Sequence, residues 1–421
     1  MYELIEMEIA GKGPSDIPVK LYRYVTAPRG GDGSGRKPVL LLHGASGNHL
    51  TFTVREGGLA GYLASCGFDP WLLDWRGSSE VVEAACKDGT LAKHKADFNF
   101  NLAASEDVPR AIATMRESGV ALPVSALGFC MGAGVLSEAI AMGHINKTEV
   151  EVDCVVLMTL GLFYEPPLDG RLKVQDRVLE SLTSERPEVL FVDPRVADDG
   201  KGLATPWGKT LEDLYHLWPV ALKTHQDPGP TTGAGEFDRV DHMCNRLSFI
   251  YGSPYIHDNL VADVHAKDAD PPLLPTLFGA VPLQMLIHGV RNIRNRRATM
   301  LNATPGSDDD TIVSPDARER FGKLAKVTLI TGALNRLWHR DSIDLMYEWL
   351  TRDALHHATV VEKHILPHYG HQDLLWGKLS GKDVYPTIAD GCRCKPPLTA
   401  AQTIAPAPPG REPLPTASRA E

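Results

Sequence analysis

The chain has 421 residues, of which 43% are hydrophobic and 23% are charged, and its formal net charge is −10. This composition is typical of a globular protein, and the length suits one large domain with an insertion, or two domains. The acidic balance argues against nucleic acid as a main partner, because nucleic-acid binding requires a basic surface.

The seven cysteines are irregularly spaced, which is not the pattern of a secreted disulfide framework. Cys392 and Cys394 form an isolated C-x-C pair, and because no second ligand pair lies nearby we expect no metal site there. The first residues lack the basic and apolar regions of a signal peptide, and no apolar run reaches the roughly 20 residues that span a bilayer. We therefore expect a soluble, cytoplasmic protein.

Short apolar segments alternate with helical patterns over the first part of the chain. Period-two alternation predicts two strands within residues 1–28, and a glycine-rich turn follows at 29–37. The next predicted strands are 39–42, 71–75, 124–129 and 152–160, and the predicted helices are 59–66, 107–118 and 131–142. Strands that alternate with helices indicate a mostly parallel sheet covered on both faces.

This alternation stops near residue 163 and resumes at residue 326, with a strand at 327–331, a helix at 341–351 and a strand at 360–366. The residues between are rich in Pro, Trp, Leu and charged side chains, with mostly helical patches. The last residues are rich in Pro and Ala and bury too little apolar surface to fold. The predicted domains are a core in two parts, 1–163 and 326–394, a helical cap at 164–325, and a disordered tail at 395–421.

The segment from Val124 to Gly134 reads as strand, G-x-C-x-G and helix, with Cys130 at its centre. In a nucleophile elbow, a strained turn lifts the central residue above the sheet, and the neighbours must be small because backbone segments crowd there. Gly128 and Gly132 meet this requirement. The N–H groups at the start of the helix favour a thiolate. The alternative interpretation is a buried structural cysteine beside glycines that serve packing.

The sequence His43-Gly44-Ala45 directly follows a predicted strand. A backbone N–H here, that of Ala45, can join the N–H of Met131 to form an oxyanion hole. Two fixed donors aimed at a developing alkoxide contribute strongly to acyl transfer. A His-Gly pair alone is a common turn, but in register with the elbow it predicts a site for an oxyanion.

His371 follows the last predicted strand and is the candidate base, because nucleophile, acid and histidine come in this order along such a chain. It would take the proton of the Cys130 thiol and return it to the leaving group. His368, three residues earlier, is the competing candidate.

Asn335 stands where a carboxylate is expected, after the strand before the last. A neutral amide can orient the imidazole of a thiolate–imidazolium pair, so a cysteine nucleophile and Asn335 are consistent with each other. The alternative is that Asn335 is a turn residue and that the acid is Glu165, Asp169 or Asp341.

With these motifs in place, the sequence resembles the α/β-hydrolase superfamily across roughly residues 15–392. Within it, the chain is similar to hydrolase-like proteins fused or adjacent to GMC-type, cholesterol-oxidase-like flavoenzymes. The stretches that carry the likeness are LLLHGASGN, LLDWRGS, LGFCMGAG, CNRLSFIYG, LFGAVPLQMLIHGVRNIR, ITGALNRLW, HYGHQDLLWGK and DVYPTI. The resemblance implies an α/β-hydrolase fold with a helical cap, hydrolysis of hydrophobic esters, lipids or lactones, and a GMC-type flavoenzyme as a partner.

Three functions are compatible with these residues. The first is a metal-free hydrolase that acts through a Cys130 thioester, and the second is an acyltransferase or polyester synthase with the same nucleophile, similar to polyhydroxyalkanoate synthases. The third is a non-catalytic binding module, which Asn335 favours. The apolar stretch 273–293 in the predicted cap favours a small hydrophobic substrate. Because no G-x-G-x-x-G follows an early strand, we expect no FAD, no NAD and no other cofactor.

Overall fold

The structure of the protein is a computed structural model. It describes residues 2–11, 16–26, 35–55, 57–175, 179, 190–195, 247, 250–252, 259–261, 264, 273–304, 306–307, 310–352 and 359–394. The predicted tail at 395–421 and a large part of the predicted cap lie outside these residues.

The strands of the described residues are β1 (Tyr2–Ile9), β2 (Val19–Thr26), β3 (Lys37–Leu42), β4 (Phe68–Asp74), β5 (Val124–Phe129), β6 (Val152–Met158), β7 (Phe191–Val192), β8 (Val281–Pro282), β9 (Lys326–Gly332) and β10 (Val360–Leu366). Eight of them form one sheet in the order β1-β2-β4-β3-β5-β6-β9-β10, and β7 pairs only with β8. Strand β2 is antiparallel to β1 and β4, and all other neighbours in the large sheet are parallel. The chain therefore has the α/β-hydrolase fold, as predicted.

The central strands are almost continuously apolar and buried along their length. Strands β3, β5 and β9 have nearly every residue buried, which is the pattern of parallel strands covered on both faces. Helix α6 (Met131–Ala141), which follows β5 directly, is buried at every position. Cys130 therefore lies between two buried elements, β5 and α6, at the centre of the sheet.

The other helices are shorter and distributed along the chain. They are α1 (Gly58–Ser65), α2 (Ser79–Lys87), α3 (Thr90–Lys93), α4 (Phe100–Leu102), α5 (Val108–Glu117), α7 (Leu168–Gln175), α8 (Leu273–Leu277), α9 (Leu283–Asn295), α10 (Pro315–Phe321), α11 (Asp341–Thr351), α12 (Asp373–Trp376), α13 (Ser380–Asp383) and α14 (Tyr385–Gly391). Each strand and helix predicted for the core is present, with bounds that differ by a few residues.

The described part of the predicted cap contains α7, α8, α9 and the β7–β8 pair. Helix α10, which also falls within 164–325, packs instead on α6 and α11 of the core. The last part of the predicted range therefore joins the core, and the other bounds of the cap stay a prediction.

Cys154 of β6 is joined by a disulfide to Cys394, which follows α14. The spacing gave no sign of this pair, because the two cysteines are 240 residues apart. The free cysteines of the described residues are Cys66, Cys86, Cys130 and Cys392. Among the helices that the structure describes, none combines the length and the hydropathy needed to cross a membrane.

Candidate active site

Cys130 occupies the turn between β5 and α6. Its backbone has φ 54° and ψ −127°, a conformation that residues other than glycine rarely adopt. A Cβ on Gly128 would lie 2.4 Å from the backbone of α6, and a Cβ on Gly132 would lie 2.4 Å from the carbonyl oxygen of His43. Both positions require glycine because backbone meets backbone there. The strained turn expected of a nucleophile elbow is therefore present.

The loop after β3, residues 43–47 (the Gly44 loop), faces the Cys130 side chain. A Cβ on Gly44 would lie 3.0 Å from Cys130 Cβ and 3.4 Å from its Sγ, so the loop backbone approaches the sulfur directly. The Ala45 N–H donates no hydrogen bond to any described residue, and the Met131 N–H points at the sulfur. The two N–H groups predicted to form an oxyanion hole therefore both border the elbow.

His43 holds the Gly44 loop from the protein interior. Its Nδ1–H donates to the Gly44 carbonyl at 2.6 Å, and its Nε2 lies 3.2 Å from Asp74 Oδ1. Its own carbonyl accepts from the Trp75 indole at 3.0 Å. Because His43 is fully buried and does not line the cavity above Cys130, it positions the loop and does not face a substrate.

His371 lines the same cavity as Cys130, and its ring packs against Phe129 with the ring centroids 4.9 Å apart. Neither ring nitrogen has a hydrogen-bond partner among the described residues, so the expected bonds to Cys130 and Asn335 are not formed. Burial lowers the pKa of His371 to about 3, and the imidazole is neutral at pH 7. The competing candidate, His368, is exposed and does not line the cavity.

The Cys130 thiol is also neutral in the resting protein. Burial raises its pKa to about 12, and the nearby N–H groups of Trp338 and Met131 lower it only in part. This corrects the expectation of a thiolate: a helix N-terminus contributes only ~0.3–1 kcal/mol, whereas removing the sulfur from water without a nearby cation costs more. The site holds a thiol and a neutral imidazole instead of an ion pair.

Asn335 stabilises its own turn after β9, and this corrects its predicted role as the partner of the histidine. Its Oδ1 accepts from the backbone N–H of Leu337 at 3.0 Å and of Trp338 at 3.1 Å. Its Nδ2 lies 3.5 Å from the Thr331 hydroxyl. The side chain therefore acts as Asn commonly does in turns, by bonding backbone N–H groups two and three residues later.

No described carboxylate forms a hydrogen bond with the histidine ring. Glu165 is buried in an ion pair with Arg296 at 2.5 Å, and Asp341 lies 3.1 Å from His339 in an exposed pair. Asp169, on α7, lines the cavity without bonding to the ring. The three carboxylates considered from the sequence therefore do not orient the base in this structure.

Two residues of the site were not predicted. The Trp338 side chain is buried, its indole N–H faces the Cys130 sulfur, and its ring meets Tyr164 edge-on at 5.5 Å. Tyr251, from the predicted cap, lines the same cavity, and its buried hydroxyl has no hydrogen-bond partner among the described residues. Both residues lie in stretches that carried the resemblance, but neither belongs to a motif with a known chemical role.

A largely apolar cavity of about 200 Å³, open to solvent at its mouth, lies over Cys130. Its apolar lining comes from the core and from the predicted cap and includes Phe100, Phe129, Val174, Leu179, Val192, Leu247, Ile250, Phe278, Val281, Met285, Leu286, Val290, Ile293 and Leu337. On the cap side the lining comes mainly from α7 with the residues before it and from α9 with the residues before it, and the second group falls in the apolar stretch noted in the sequence. A substrate that fits these walls is mostly apolar.

Two groups of side chains are close enough together to share a metal ion: His49, Asp74 and Glu80, and Asp153, Cys154 and Cys394. In the first group His49 Nδ1 already lies 2.8 Å from Asp74 Oδ2, and the Lys20 ammonium lies 3.9 Å from Glu80. In the second group the two sulfurs are bonded to each other. Neither group lines the cavity above the elbow.

No protein-family model matches the chain, and no curated protein matches it. Solved structures with a similar fold include DcsB in complex with its substrate analogue, with 12% identity over 93% of this chain and 99% of that one and a TM-score of 0.49. A lipase in open form has 14% identity over 92% and 98% of the two chains and a TM-score of 0.49. The 2-hydroxy-6-oxo-6-phenylhexa-2,4-dienoate hydrolase of a Rhodococcus strain has 16% identity over 93% and 99% and a TM-score of 0.44. At these values the likenesses carry no argument about activity.

Proposed function

We propose that the protein is a carboxylic ester hydrolase that acts on apolar substrates through a thioester on Cys130. The observation that carries this proposal is the strained backbone of Cys130 at the base of an apolar cavity, with the Gly44 loop against its sulfur. A cysteine that only fills space needs no such backbone, and strain of this kind concentrates at functional sites.

In the acylation step, the Cys130 sulfur attacks the ester carbonyl while His371 takes the thiol proton. The N–H groups of Ala45 and Met131 receive the oxyanion. The carbonyl then re-forms, the bond to the alcohol oxygen breaks, and His371 gives its proton to the leaving alkoxide. The products are a free alcohol and a thioester on Cys130.

In the deacylation step, water attacks the thioester carbonyl and gives a proton to His371. The carbon–sulfur bond breaks as the acid forms, and His371 returns the proton to the departing sulfur. The base is neutral at the start and the end of each step, so a carboxylate is not required to hold a charged ring in the resting protein.

The test is hydrolysis of p-nitrophenyl esters of increasing acyl length by Cys130→Ala, Cys130→Ser and the control Cys86→Ala, which changes a free cysteine outside the cavity. We expect Cys130→Ala to abolish turnover with an unchanged circular dichroism spectrum. Cys130→Ser should retain roughly 10⁻³ of the activity or less, because a serine needs a histidine oriented by a carboxylate. Near-normal turnover by Cys130→Ala would exclude Cys130 as the nucleophile.

A second candidate function is binding of an apolar ligand without turnover. The observation that favours it is the absence of hydrogen bonds from either nitrogen of His371 to any described residue. Under this hypothesis the wild-type protein binds long-chain esters but releases no product at any acyl length. Association with a GMC-type flavoenzyme and a cytoplasmic location stay predictions of the sequence.

A further inference from the structure

We propose that the indole N–H of Trp338 stabilises negative charge on the Cys130 sulfur, and that Asn335 is the positioning residue that brings Trp338 there. The inference rests on the proposed function of Cys130. It assigns a role to a side chain that no sequence motif identified, and it gives the asparagine a function other than orienting the histidine.

The first argument is the state of the Trp338 N–H. The side chain is 5% exposed, and the N–H has no conventional hydrogen-bond partner among the described residues. Trp338 and Cys130 line the same cavity, and the indole N–H lowers the pKa of the Cys130 thiol, so it favours the thiolate. A buried donor without an acceptor is costly, and a catalytic role is one recognised reason for such a group to be retained. A negatively charged sulfur is that partner.

The second argument is how Trp338 is held. Its backbone N–H donates to Asn335 Oδ1 at 3.1 Å, which closes the turn that carries it to the cavity. Its ring meets Tyr164 edge-on, with the ring centroids 5.5 Å apart. One contact fixes the main chain and the other fixes the ring plane, so the direction of the N–H follows from both.

The third argument is chemical. The sulfur becomes negative twice in the reaction: when His371 removes its proton, and when the carbon–sulfur bond of the thioester breaks and the bonding pair returns to the sulfur. No described carboxylate hydrogen-bonds to His371, and although Lys173 and Arg336 line the cavity, neither is among the groups that shift the pKa of the Cys130 thiol. A donor aimed at the sulfur therefore acts in both steps, and it lowers the barrier to thiolate departure directly.

The test compares Trp338→Phe, which keeps an aromatic ring but lacks the N–H, with Trp349→Phe, a matched change of a buried tryptophan outside the cavity. The first readout is the rate at which iodoacetamide alkylates Cys130 across pH 6–10, measured on the Cys130 peptide. In Trp338→Phe the thiolate population should fall about tenfold. Because a more basic thiolate is also more nucleophilic, the alkylation rate should fall about threefold at each pH. Trp349→Phe should match the wild type.

The second readout is ester turnover. Trp338→Phe should lower kcat about tenfold and leave KM nearly unchanged, because the N–H contacts the sulfur and not the acyl chain. An unchanged alkylation profile in a folded Trp338→Phe protein overturns the proposal, even if turnover falls, because the indole would then act on the substrate. Alkylation does not depend on ester hydrolysis, so a protein with no esterase activity still tests the contact.

Asn335 supplies an independent test that leaves the indole intact, and it decides the matter if Trp338→Phe fails to fold. Asn335→Ala removes the acceptor of the Trp338 backbone N–H and should reproduce the threefold loss of alkylation. Asn335→Ser keeps a neutral acceptor that can bond the same N–H groups and should restore most of the rate. Equal, wild-type rates for both variants would contradict the positioning role.

Discussion

His49 and His371 are both buried histidines of the same domain, but their surroundings are opposite. His49 Nδ1 lies 2.8 Å from Asp74 Oδ2, and its backbone N–H donates to Asp74 Oδ1 at 2.6 Å. Its ring stacks on Tyr22 at 3.8 Å. His371 packs on Phe129, and no described residue bonds to either ring nitrogen. The two histidines therefore separate the effect of burial from the effect of a neighbouring carboxylate.

The two pKa values move in opposite directions. Burial lowers the pKa of His49, but the hydrogen bond to Asp74 and the charges of Asp74 and Glu80 outweigh it and leave the pKa raised. Burial acts alone on His371 and lowers its pKa to about 3. A neighbouring carboxylate thus raises the pKa of a buried histidine and favours its charged form, whereas an apolar wall lowers the pKa and keeps the imidazole neutral at pH 7.

The largest expected effect comes from removing the carboxylate of the paired site. Asp74→Asn leaves His49 and His43 buried without their negative partner, and we expect it to lower the free energy of unfolding by ~3–5 kcal/mol. The control is Asp341→Asn, which breaks an exposed His–Asp pair and should cost under ~1 kcal/mol. Urea unfolding near pH 6 measures both. Equal losses in the two variants would mean that the buried pair contributes no more than a surface pair.

The next largest expected effect is the pH dependence of the free energy of unfolding that follows from the unpaired ring of His371. The unfolded chain binds a proton at His371 below about pH 6.5, whereas the folded protein does not until about pH 3, so stability falls as the pH drops through this window. His371→Gln should reduce that slope by ~1.4 kcal/mol per pH unit. The contribution of His49 to the pH dependence of stability has the opposite sign. Because its pKa is raised in the folded protein, the stability that it contributes is lost as the pH rises. Unfolding at several pH values measures the slope, and a slope in His371→Gln as steep as in the exposed control His368→Gln would contradict the prediction.

The smallest expected effect is that of a carboxylate at position 335 on ester turnover. In a Cys130→Ser background, Asn335→Asp should leave the residual ester turnover unchanged, because the side chain at 335 bonds its own turn and not His371. Initial rates with the best ester measure this. Recovery of turnover in the double variant would show that the carboxylate reaches the histidine, and it would restore the role first predicted for Asn335.

Hydrophobic pattern was sufficient to predict the core of the fold. Strands β3, β5 and β9 are short continuous apolar runs, and the elbow requires glycines that the sequence shows at positions 128 and 132. Backbone crowding of this kind can be recognised in the sequence, because only glycine fits at such positions. The fold and the place of Cys130 could therefore be predicted from local information.

The side-chain partners could not be predicted in the same way. An asparagine after β9 is equally suited to a turn and to orienting a ring, and residue type alone does not give the direction of its amide. The contact between Trp338 and Cys130, and the approach of Tyr251 from the predicted cap, join segments far apart in the chain. The protonation states of Cys130 and His371 depend on burial, which the sequence does not show.

At Gly132, two stretches of main chain touch with no side chain between them. The separation of the Ala45 and Met131 N–H groups is therefore independent of the rotamers around them. The walls of the cavity come from other segments, chiefly α7, α9 and the turn after β9. In evolutionary terms, substitutions in those walls can change which acyl shapes are accepted while the reacting centre is inherited intact, so divergence in substrate preference needs no change in chemistry.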